Sequence, residues 1–261
     1  MSTPILIDTK IDGKDRKVAA VSNRNGFFYV IDRTNGKFIY AIPLVKGINW
    51  TTGLDPETGK PTINEAMKPK IGGGMVKIIV PGLEGGTNWF PPAYDNDLGL
   101  FFVAVNQWGM GLTAWDKKKL VYKPGDFFQG ADYQMYRMGD TIGRIKAIDI
   151  ANKKLAWEVE SPLPLFSGML VTKGGVLFTG DLRGRFLAYD AKTGKELWKF
   201  QTGSTSTPRR SPMSSMASNM SPFYRASAAT RAFITRRPRA ACCGCLPSTA
   251  RSMRAISTIR W

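Results

Sequence analysis

The chain of 261 residues contains no histidine, and its three cysteines are crowded together at Cys242, Cys243 and Cys245. Without histidine or a second ligand pair, this spacing disfavours a tetrahedral zinc site. No apolar run approaches the ~20 residues of a membrane-spanning helix, so no transmembrane segment is predicted. The opening residues, MSTPILIDTK, lack the charged segment and long apolar core of a secretory signal, so we expect no signal peptide in this chain.

Acidic residues are absent from residues 204–261, which carry ten arginines and no lysine, whereas all 20 Asp and Glu residues precede them. The net charge of +17 therefore comes mostly from this segment. Residues 1–203 are only mildly basic, and we expect no nucleic-acid partner for them. The segment could be a basic arm that binds nucleic acid, a Cys-rich metal site, or a stretch translated out of frame. The third is favoured because an Arg, Ala, Pro and Ser mixture abruptly replaces the preceding pattern, and we expect an irregular or disordered tail.

The stretch NRNGFFYVIDRTNGKF, residues 23–38, places two Asn-Gly pairs on either side of an aromatic and β-branched run. Asn and Gly accept positive φ at low cost, so each pair predicts a tight reversal. The run between them, residues 27–31, is typical of a β-strand. This stretch therefore predicts a strand held between two turns, with Arg24 in the first turn.

The same unit recurs along the chain with constant offsets from a first residue at Gly26, Gly143 or Gly184. A small or β-branched residue stands four positions on, Asp six, a turn residue ten and an aromatic fourteen. These positions are Val30, Asp32, Gly36 and Tyr40; Ala147, Asp149, Lys153 and Trp157; and Ala188, Asp190, Gly194 and Trp198. A fainter half-copy holds Ala93, Asp95 and Gly99. Short strands repeating at roughly 20–50 residues predict an all-β propeller or a related array.

Each position of the unit has a physical role. The aspartate should accept hydrogen bonds from backbone N–H groups in the following turn, and the glycine supplies positive φ. At Lys153, which breaks the pattern, Asn152 is expected to take the strained conformation instead. The aromatic residue should pack between adjacent sheets, so Trp157 and Trp198 are predicted to be buried structural residues.

The stretch GGTNWFPPAYD, residues 85–95, is a candidate for binding. Gly85 and Gly86 permit close backbone approach to a ligand, and the following proline pair stiffens the exit. Asn88 and Trp89 stand between them. In the structural alternative, Asn88 caps a turn and Trp89 fills the core.

Arg24 and Phe166 are the other two candidates. Arg24 lies in a turn, where an arginine is usually solvated, and Phe166, in PLPLFSGML, stands beside small residues, where core packing is the default. From the residues alone, both structural alternatives stay open.

Together, SNRNGFFYVIDRTNGK, INWTTGLDPETGKP, GGTNWFPPAYD and GRFLAYDAKTGKELWKFQTGS resemble the C-terminal half of pyrroloquinoline-quinone (PQQ)-dependent alcohol dehydrogenases of the methanol/ethanol type. The resemblance covers about residues 10 to 204 and implies an eight-bladed β-propeller. The chain would contain about half of the ring in residues 1–203, followed by the tail of residues 204–261.

The resemblance also implies roles for the candidates. Arg24 matches a basic residue beside the quinone carbonyl oxygens, Asn88 an amide that hydrogen-bonds the cofactor, Trp89 a neighbouring cofactor-binding position, and Phe166 a position where relatives often have Trp near the quinone. The family oxidises primary alcohols in the periplasm and passes electrons to a cytochrome c. Its calcium or lanthanide ion and catalytic base are held by residues upstream of these motifs.

This chain has no counterpart of that upstream region, so we expect no metal ligands in it and no activity as an isolated fragment. Whether the chain is itself an enzyme stays open. The alternative from another class is a non-catalytic β-propeller scaffold of the outer-membrane assembly type, which shares the repeat. Arg24 and the Asn88-Trp89 pair favour the enzyme family, because a scaffold has no need of them.

Overall fold

The computed structural model describes residues 3–202. Regular structure in this part of the chain consists of β-strands and one short 3-10 turn, Glu65–Met67, so the all-β prediction is confirmed. The predicted tail, residues 204–261, with its three cysteines, lies outside the described residues.

Three antiparallel four-stranded sheets form the framework. The first sheet has the order β1-β2-β3-β4, the second β12-β11-β8-β7 and the third β13-β14-β15-β16. Two hairpins, β5–β6 and β9–β10, are separate two-stranded sheets. The strands are β1 Ile5–Ile11, β2 Lys14–Ser22, β3 Phe27–Asp32, β4 Phe38–Pro43, β5 Thr51–Leu54, β6 Pro61–Ile63, β7 Ala93–Asp95, β8 Leu100–Asn106, β9 Trp108–Ala114, β10 Ala131–Arg137, β11 Gly143–Asp149, β12 Lys154–Ser161, β13 Leu170–Val171, β14 Val176–Gly180, β15 Arg185–Asp190 and β16 Glu196–Gln201.

Antiparallel order gives every sheet two distinct ends. At one end, which we call the turn end, short turns join the first strand to the second and the third to the fourth. At the other, the loop end, lie the links between the second and third strands and the connections from one sheet to the next. The β9–β10 hairpin is inserted in such a link, so it too rises from the loop end.

The second sheet lies between the other two and buries both of its faces. On one face Phe101, Val103 and Ile148 pack into a cluster with side chains of the first sheet such as Val30 and Phe28. On the opposite face, Phe102 and Ala147 join a cluster that includes Leu187 of the third sheet. Two-sided burial explains why β8, LFFVAVN, is apolar without alternation.

The repeat is visible in the strand register. Val30 lies opposite Tyr40, Ala147 opposite Trp157 and Ala188 opposite Trp198, and each pair is followed by a register shift of β-bulge type. The constant offsets in the sequence therefore mark the third and fourth strands of three equivalent sheets.

The aromatic residue of one sheet is hydrogen-bonded to the next sheet. The Tyr40 hydroxyl donates to the carbonyl oxygen of Ile150 at 2.9 Å, and Trp157 Nε1 donates to that of Ala191 at 3.0 Å. Both acceptors follow the aspartate of the unit directly. The prediction that Trp157 packs between sheets is confirmed. For Trp198 it is wrong within the described residues, where the side chain is 42% exposed.

The turns behave as the sequence predicted, with one correction. The Asp190 carboxylate accepts from the backbone N–H of Thr193 at 2.8 Å, and Gly194 has φ of +74°. At the irregular copy, Lys153 itself has positive φ, +55°, so the expectation for Asn152 is wrong. The Asn152 side chain instead donates to Asp149 at 2.7 Å.

Lys153 is accommodated by two contacts that a glycine could not make. Its ammonium lies 5.8 Å from the centre of the Tyr40 ring and 2.5 Å from the Asp12 carboxylate. Cation–π attraction and ion pairing therefore oppose the backbone strain. At the equivalent position of the third sheet, Gly194 leaves room for the larger Trp157 ring.

Candidate functional site

All four candidate residues lie at the loop end of the sheets. Arg24 is in the β2–β3 turn, Asn88 and Trp89 are in the connection that leads into β7, and Phe166 is in the connection between β12 and β13. Residues separated widely in sequence are thus gathered at one end of the three sheets.

The Arg24 turn is organised by its asparagines. Asn23 Oδ1 accepts from the Asn25 N–H at 3.1 Å, and Gly26, with φ of +97°, donates its N–H to the Asn23 carbonyl at 3.1 Å. Arg24 therefore stands at the tip, exposed, and its guanidinium donates to the carbonyl of Leu83. A guanidinium has five N–H donors, so most remain for another acceptor.

The glycine pair makes a close approach, but to the chain itself. Gly85 has φ of +75°, and a Cβ there would stand 2.6 Å from the Arg24 carbonyl oxygen. Gly86 donates its N–H to that same oxygen at 3.0 Å and lies against Gly26. The structure thus corrects the interpretation that the pair makes room for a ligand, since it lets residues 82–86 pack directly on the Arg24 turn.

Asn88 is buried and bonded within its own loop. Its Nδ2 donates to the Glu84 carbonyl and to the Glu84 carboxylate, both at 3.1 Å, and its Oδ1 accepts from the Trp89 N–H at 2.8 Å. The amide caps this turn as the structural alternative expected. Because Leu83 holds Arg24 and Glu84 holds Asn88, the two candidate donors are anchored at adjacent residues of one loop.

An aromatic cluster joins the other two candidates. The Trp89 and Phe90 ring centres are 4.7 Å apart, and those of Phe90 and Phe166 are 5.3 Å apart. Phe166 and Phe90 are buried, whereas Trp89 is half-buried. Phe90, which the sequence did not single out, therefore connects Trp89 to Phe166.

Two further amides, missed from the sequence, fix these connections at the end of β8. Asn106 donates to the Leu165 carbonyl at 2.9 Å and accepts its N–H at 2.8 Å. Gln107 makes the same pair of bonds with Lys46, at 2.7 and 2.9 Å. The signal that could have identified them is a pair of adjacent amides, Asn106 and Gln107, directly after the apolar run of residues 100–105.

The donor set can be compared with what an ortho-quinone requires. Arg24 offers an exposed guanidinium, Asn88 an amide, and the buried Thr87 hydroxyl beside it has no hydrogen-bond partner among the described residues. Donors next to aromatic rings suit a planar acceptor with carbonyl oxygens. The residues present therefore fit such a group, provided that the Asn88 amide exchanges its bonds to Glu84.

Residues 3–202 hold no group of three or more His, Cys, Asp or Glu side chains that could bind a metal ion. Within them, no helix is long and apolar enough to cross a bilayer.

A family model described as outer membrane protein assembly factor BamB matches residues 141–216. This range includes the second and third copies of the repeat, in the second and third sheets. The match covers a minority of the chain and none of Arg24, Asn88 or Trp89.

Curated relatives of this chain include several quinone-dependent alcohol dehydrogenases. The chain is 44% identical over 205 residues to quinoprotein alcohol dehydrogenase PedH of Pseudomonas putida. The alignment covers 77% of this chain and 34% of the relative. It is 38% identical over 208 residues to 1-butanol dehydrogenase (quinone) of Thauera butanivorans, covering 74% and 33%. The chain thus spans about a third of the length of these relatives.

Solved structures agree with the sequence comparison. A europium-containing methanol dehydrogenase superimposes with a TM-score of 0.72 at 33% identity, covering 78% of this chain and 35% of that one. The quinohemoprotein alcohol dehydrogenase of Comamonas testosteroni gives a TM-score of 0.68 at 35% identity, covering 77% and 31%. In sequence and in fold, the chain is similar to about a third of the quinoprotein alcohol dehydrogenases, whose structures are β-propellers.

Proposed function

We propose that the chain is part of a PQQ-dependent dehydrogenase that oxidises primary alcohols and passes electrons to a cytochrome c. The observation that carries this proposal is the anchoring of Arg24 and Asn88 at adjacent residues of one loop, beside the aromatic cluster. PQQ, when bound, supplies the ortho-quinone that accepts the electrons of the alcohol.

In this proposal the remaining N–H donors of Arg24 would hold the quinone oxygens, and its positive charge would favour the reduced form of the cofactor. Asn88 holds the cofactor by its amide, and Trp89 and Phe166 line the aromatic side. In this proposal the calcium or lanthanide ion and the catalytic base are held by residues upstream of these motifs, as the resemblance to the family implies.

The three sheets are then part of an eight-bladed ring, of which residues 1–203 form about half. The complete protein works in the periplasm. A propeller site takes groups from around the whole ring. The isolated chain therefore holds PQQ by a few contacts and does not oxidise alcohol.

Two assays on the purified 261-residue chain test this. Titration with PQQ should quench its tryptophan fluorescence, and dye-linked oxidation of ethanol or methanol with added calcium or lanthanide should be absent. Oxidation of alcohol by this chain would contradict the proposal that the metal ion and the catalytic base are held by residues outside it. Failure to bind PQQ would favour the alternative, a non-catalytic scaffold, which the family match over residues 141–216 suggests.

A further inference from the structure

The last residue of β8, Asn106, is bonded to both connections that carry the candidate residues Asn88 and Phe166. Its backbone N–H donates to the Gly86 carbonyl at 2.8 Å, and its side chain exchanges two hydrogen bonds with the backbone of Leu165, at 2.8 and 2.9 Å. Gly86 stands two residues before Asn88, and Leu165 directly precedes Phe166. Asn106 is only 2% exposed, so these bonds are made away from water. One buried residue therefore joins two sides of the candidate site.

Through Gly86 this link extends to the Arg24 turn. The Gly86 N–H donates to the Arg24 carbonyl at 3.0 Å, and the Gly86 carbonyl accepts the Asn106 N–H. Hydrogen bonds therefore run from the Arg24 backbone, by way of Gly86 and Asn106, to Leu165. The last three of these residues are buried, and a buried bond is costly to break because the groups left unpaired find no water. The path is consequently a stiff link between the Arg24 turn and the Phe166 connection.

The connection that carries Phe166 has a second attachment on its other side. The Met169 N–H donates to the Pro91 carbonyl at 2.9 Å, so Phe166 lies between one attachment at Asn106 and another at Pro91. If the Asn106 side chain is removed, the Pro91 attachment and the backbone bonds of Asn106 remain. Loss of this one side chain should therefore shift the Phe166 ring without detaching the connection from the sheets.

The next residue, Gln107, makes the same kind of attachment in another direction. It is also buried, and its side chain exchanges two hydrogen bonds with the backbone of Lys46, at 2.7 and 2.9 Å, in the connection between β4 and β5. Lys46 follows Val45, whose side chain lies 3.0 Å from where a Cβ of Gly26 would stand, in the Arg24 turn. The two neighbouring amides therefore have equal chemistry and similar burial, but Gln107 supports the Arg24 side and Asn106 holds the Phe166 side.

We propose that Asn106 is a positioning residue of the candidate cofactor site, which sets where the Phe166 ring lies relative to Arg24 and Asn88. It acts through Leu165 rather than by contact with the cofactor. A flat group held by a ring and by hydrogen-bond donors depends on their separation, since a gap of ~1 Å forfeits up to about half of a van der Waals contact. This inference rests on the proposed function and adds to it the residue that keeps the two sides of the site in register.

A double-mutant cycle on the full chain tests it, with PQQ binding measured by quenching of tryptophan fluorescence. Asn106→Ala should raise the dissociation constant for PQQ at least ~5-fold. In a Phe166→Leu background the same change should alter it less than ~2-fold, because the ring through which Asn106 acts is already gone. Gln107→Ala, which removes an equivalent pair of buried bonds, is the matched control, and its effect should be the same in both backgrounds.

The outcomes separate this inference from the proposed function. Circular dichroism checks that each variant is folded, and Asn106→Ser, whose hydroxyl is too short to make both bonds to Leu165, replaces Asn106→Ala if that variant is not. If the wild type binds PQQ and Asn106→Ala binds equally well, or loses the same affinity in both backgrounds, the inference is overturned and the proposed function stands. A Gln107→Ala effect that disappears with Phe166→Leu would indicate a general loosening of the loop end and would also overturn it. A wild type that does not bind PQQ would overturn both.

Discussion

Strand β3 has a turn at each of its two ends, and the two turns differ in sequence and in hydrogen bonding. At the turn end, Asp32 accepts hydrogen bonds from the backbone N–H and the hydroxyl of Thr34, and the same arrangement recurs at Asp190. At the loop end, Arg24 has no counterpart in the equivalent β14–β15 turn, where Leu182 stands. The turn end repeats and holds the sheets together, whereas the loop end is individual and presents the candidate site. The residues that join the sheets and the candidate site residues are therefore separated along the same strands.

The first and largest test compares the two tryptophans of the turn end. Trp157→Ala removes a ring packed between sheets and its bond to Ala191, so the free energy of unfolding should fall by about 3 kcal/mol. Trp198→Ala removes a ring that is 42% exposed, so the free energy of unfolding should fall by about 1 kcal/mol or less. Urea denaturation followed by circular dichroism measures both, and equal losses would refute the distinction.

The second test concerns the packing of the loop end. Gly85→Ala places a methyl group 2.6 Å from the Arg24 carbonyl oxygen, besides straining a positive φ, so we expect a loss of about 3 kcal/mol. Gly175 has φ of +76° and open space, so Gly175→Ala carries the backbone strain alone, about 1 kcal/mol. A chemical denaturation series reports the difference. If the two variants lose the same amount, residues 82–86 do not pack tightly on the Arg24 turn.

The third test uses pH to probe the turn end. Hydrogen bonds from Thr193 lower the pKa of Asp190, and those from Thr34 lower the pKa of Asp32. Because the folded-state pKa lies below the unfolded one, the stabilisation is present above pH 3.8 and is lost as the pH falls through the folded value. Melting temperatures between about pH 2 and 6 should fall less steeply in Asp190→Asn than in the wild type. A slope in Asp190→Asn equal to that of the wild type would contradict this account.

The smallest effect is expected where the repeat is broken. Lys153→Gly relieves a positive φ but removes the contacts with Tyr40 and Asp12, so stability should change by less than about 0.5 kcal/mol. Lys153→Ala retains the strain and loses both contacts, and it should be the less stable variant. Thermal melts of the two variants decide the order, and a more stable Ala variant would contradict this balance.

The sequence predicted the turn end well because its interactions are local. The Asp32 and Asp190 bonds span two or three residues, and fixed offsets make them readable. Even there, Asp55–Gly59 forms the same turn, with the Gly59 N–H bonded to the Asp55 carbonyl, and was not recognised as a copy. Burial of Trp198 was predicted from its place in the repeat, but the side chain is 42% exposed, because the offsets of a repeat do not state which neighbour packs on each sheet.

The loop end could be predicted only in its residues, not in its contacts. Arg24 and Leu83 are 59 positions apart, and Gln107 and Lys46 are 61 apart, so no local pattern connects them. Glycine at position 85 was recognised as allowing close approach, but a sequence does not state what approaches. The bonds that Asn88 makes with Glu84 were invisible for the same reason.

The central claim, that the loop end binds PQQ through Arg24, is tested most directly by comparing the two arginines that flank β3. Arg24 lies at the loop end, and Arg33, at the turn end, is also exposed and bridges Asp8 at 2.7 Å. In fluorescence titrations with PQQ, Arg24→Ala should raise the dissociation constant at least ~10-fold, because a charge-assisted bond is lost. Arg33→Ala should bind as the wild type does. Wild-type affinity in Arg24→Ala, or an equal loss in Arg33→Ala, would contradict the account.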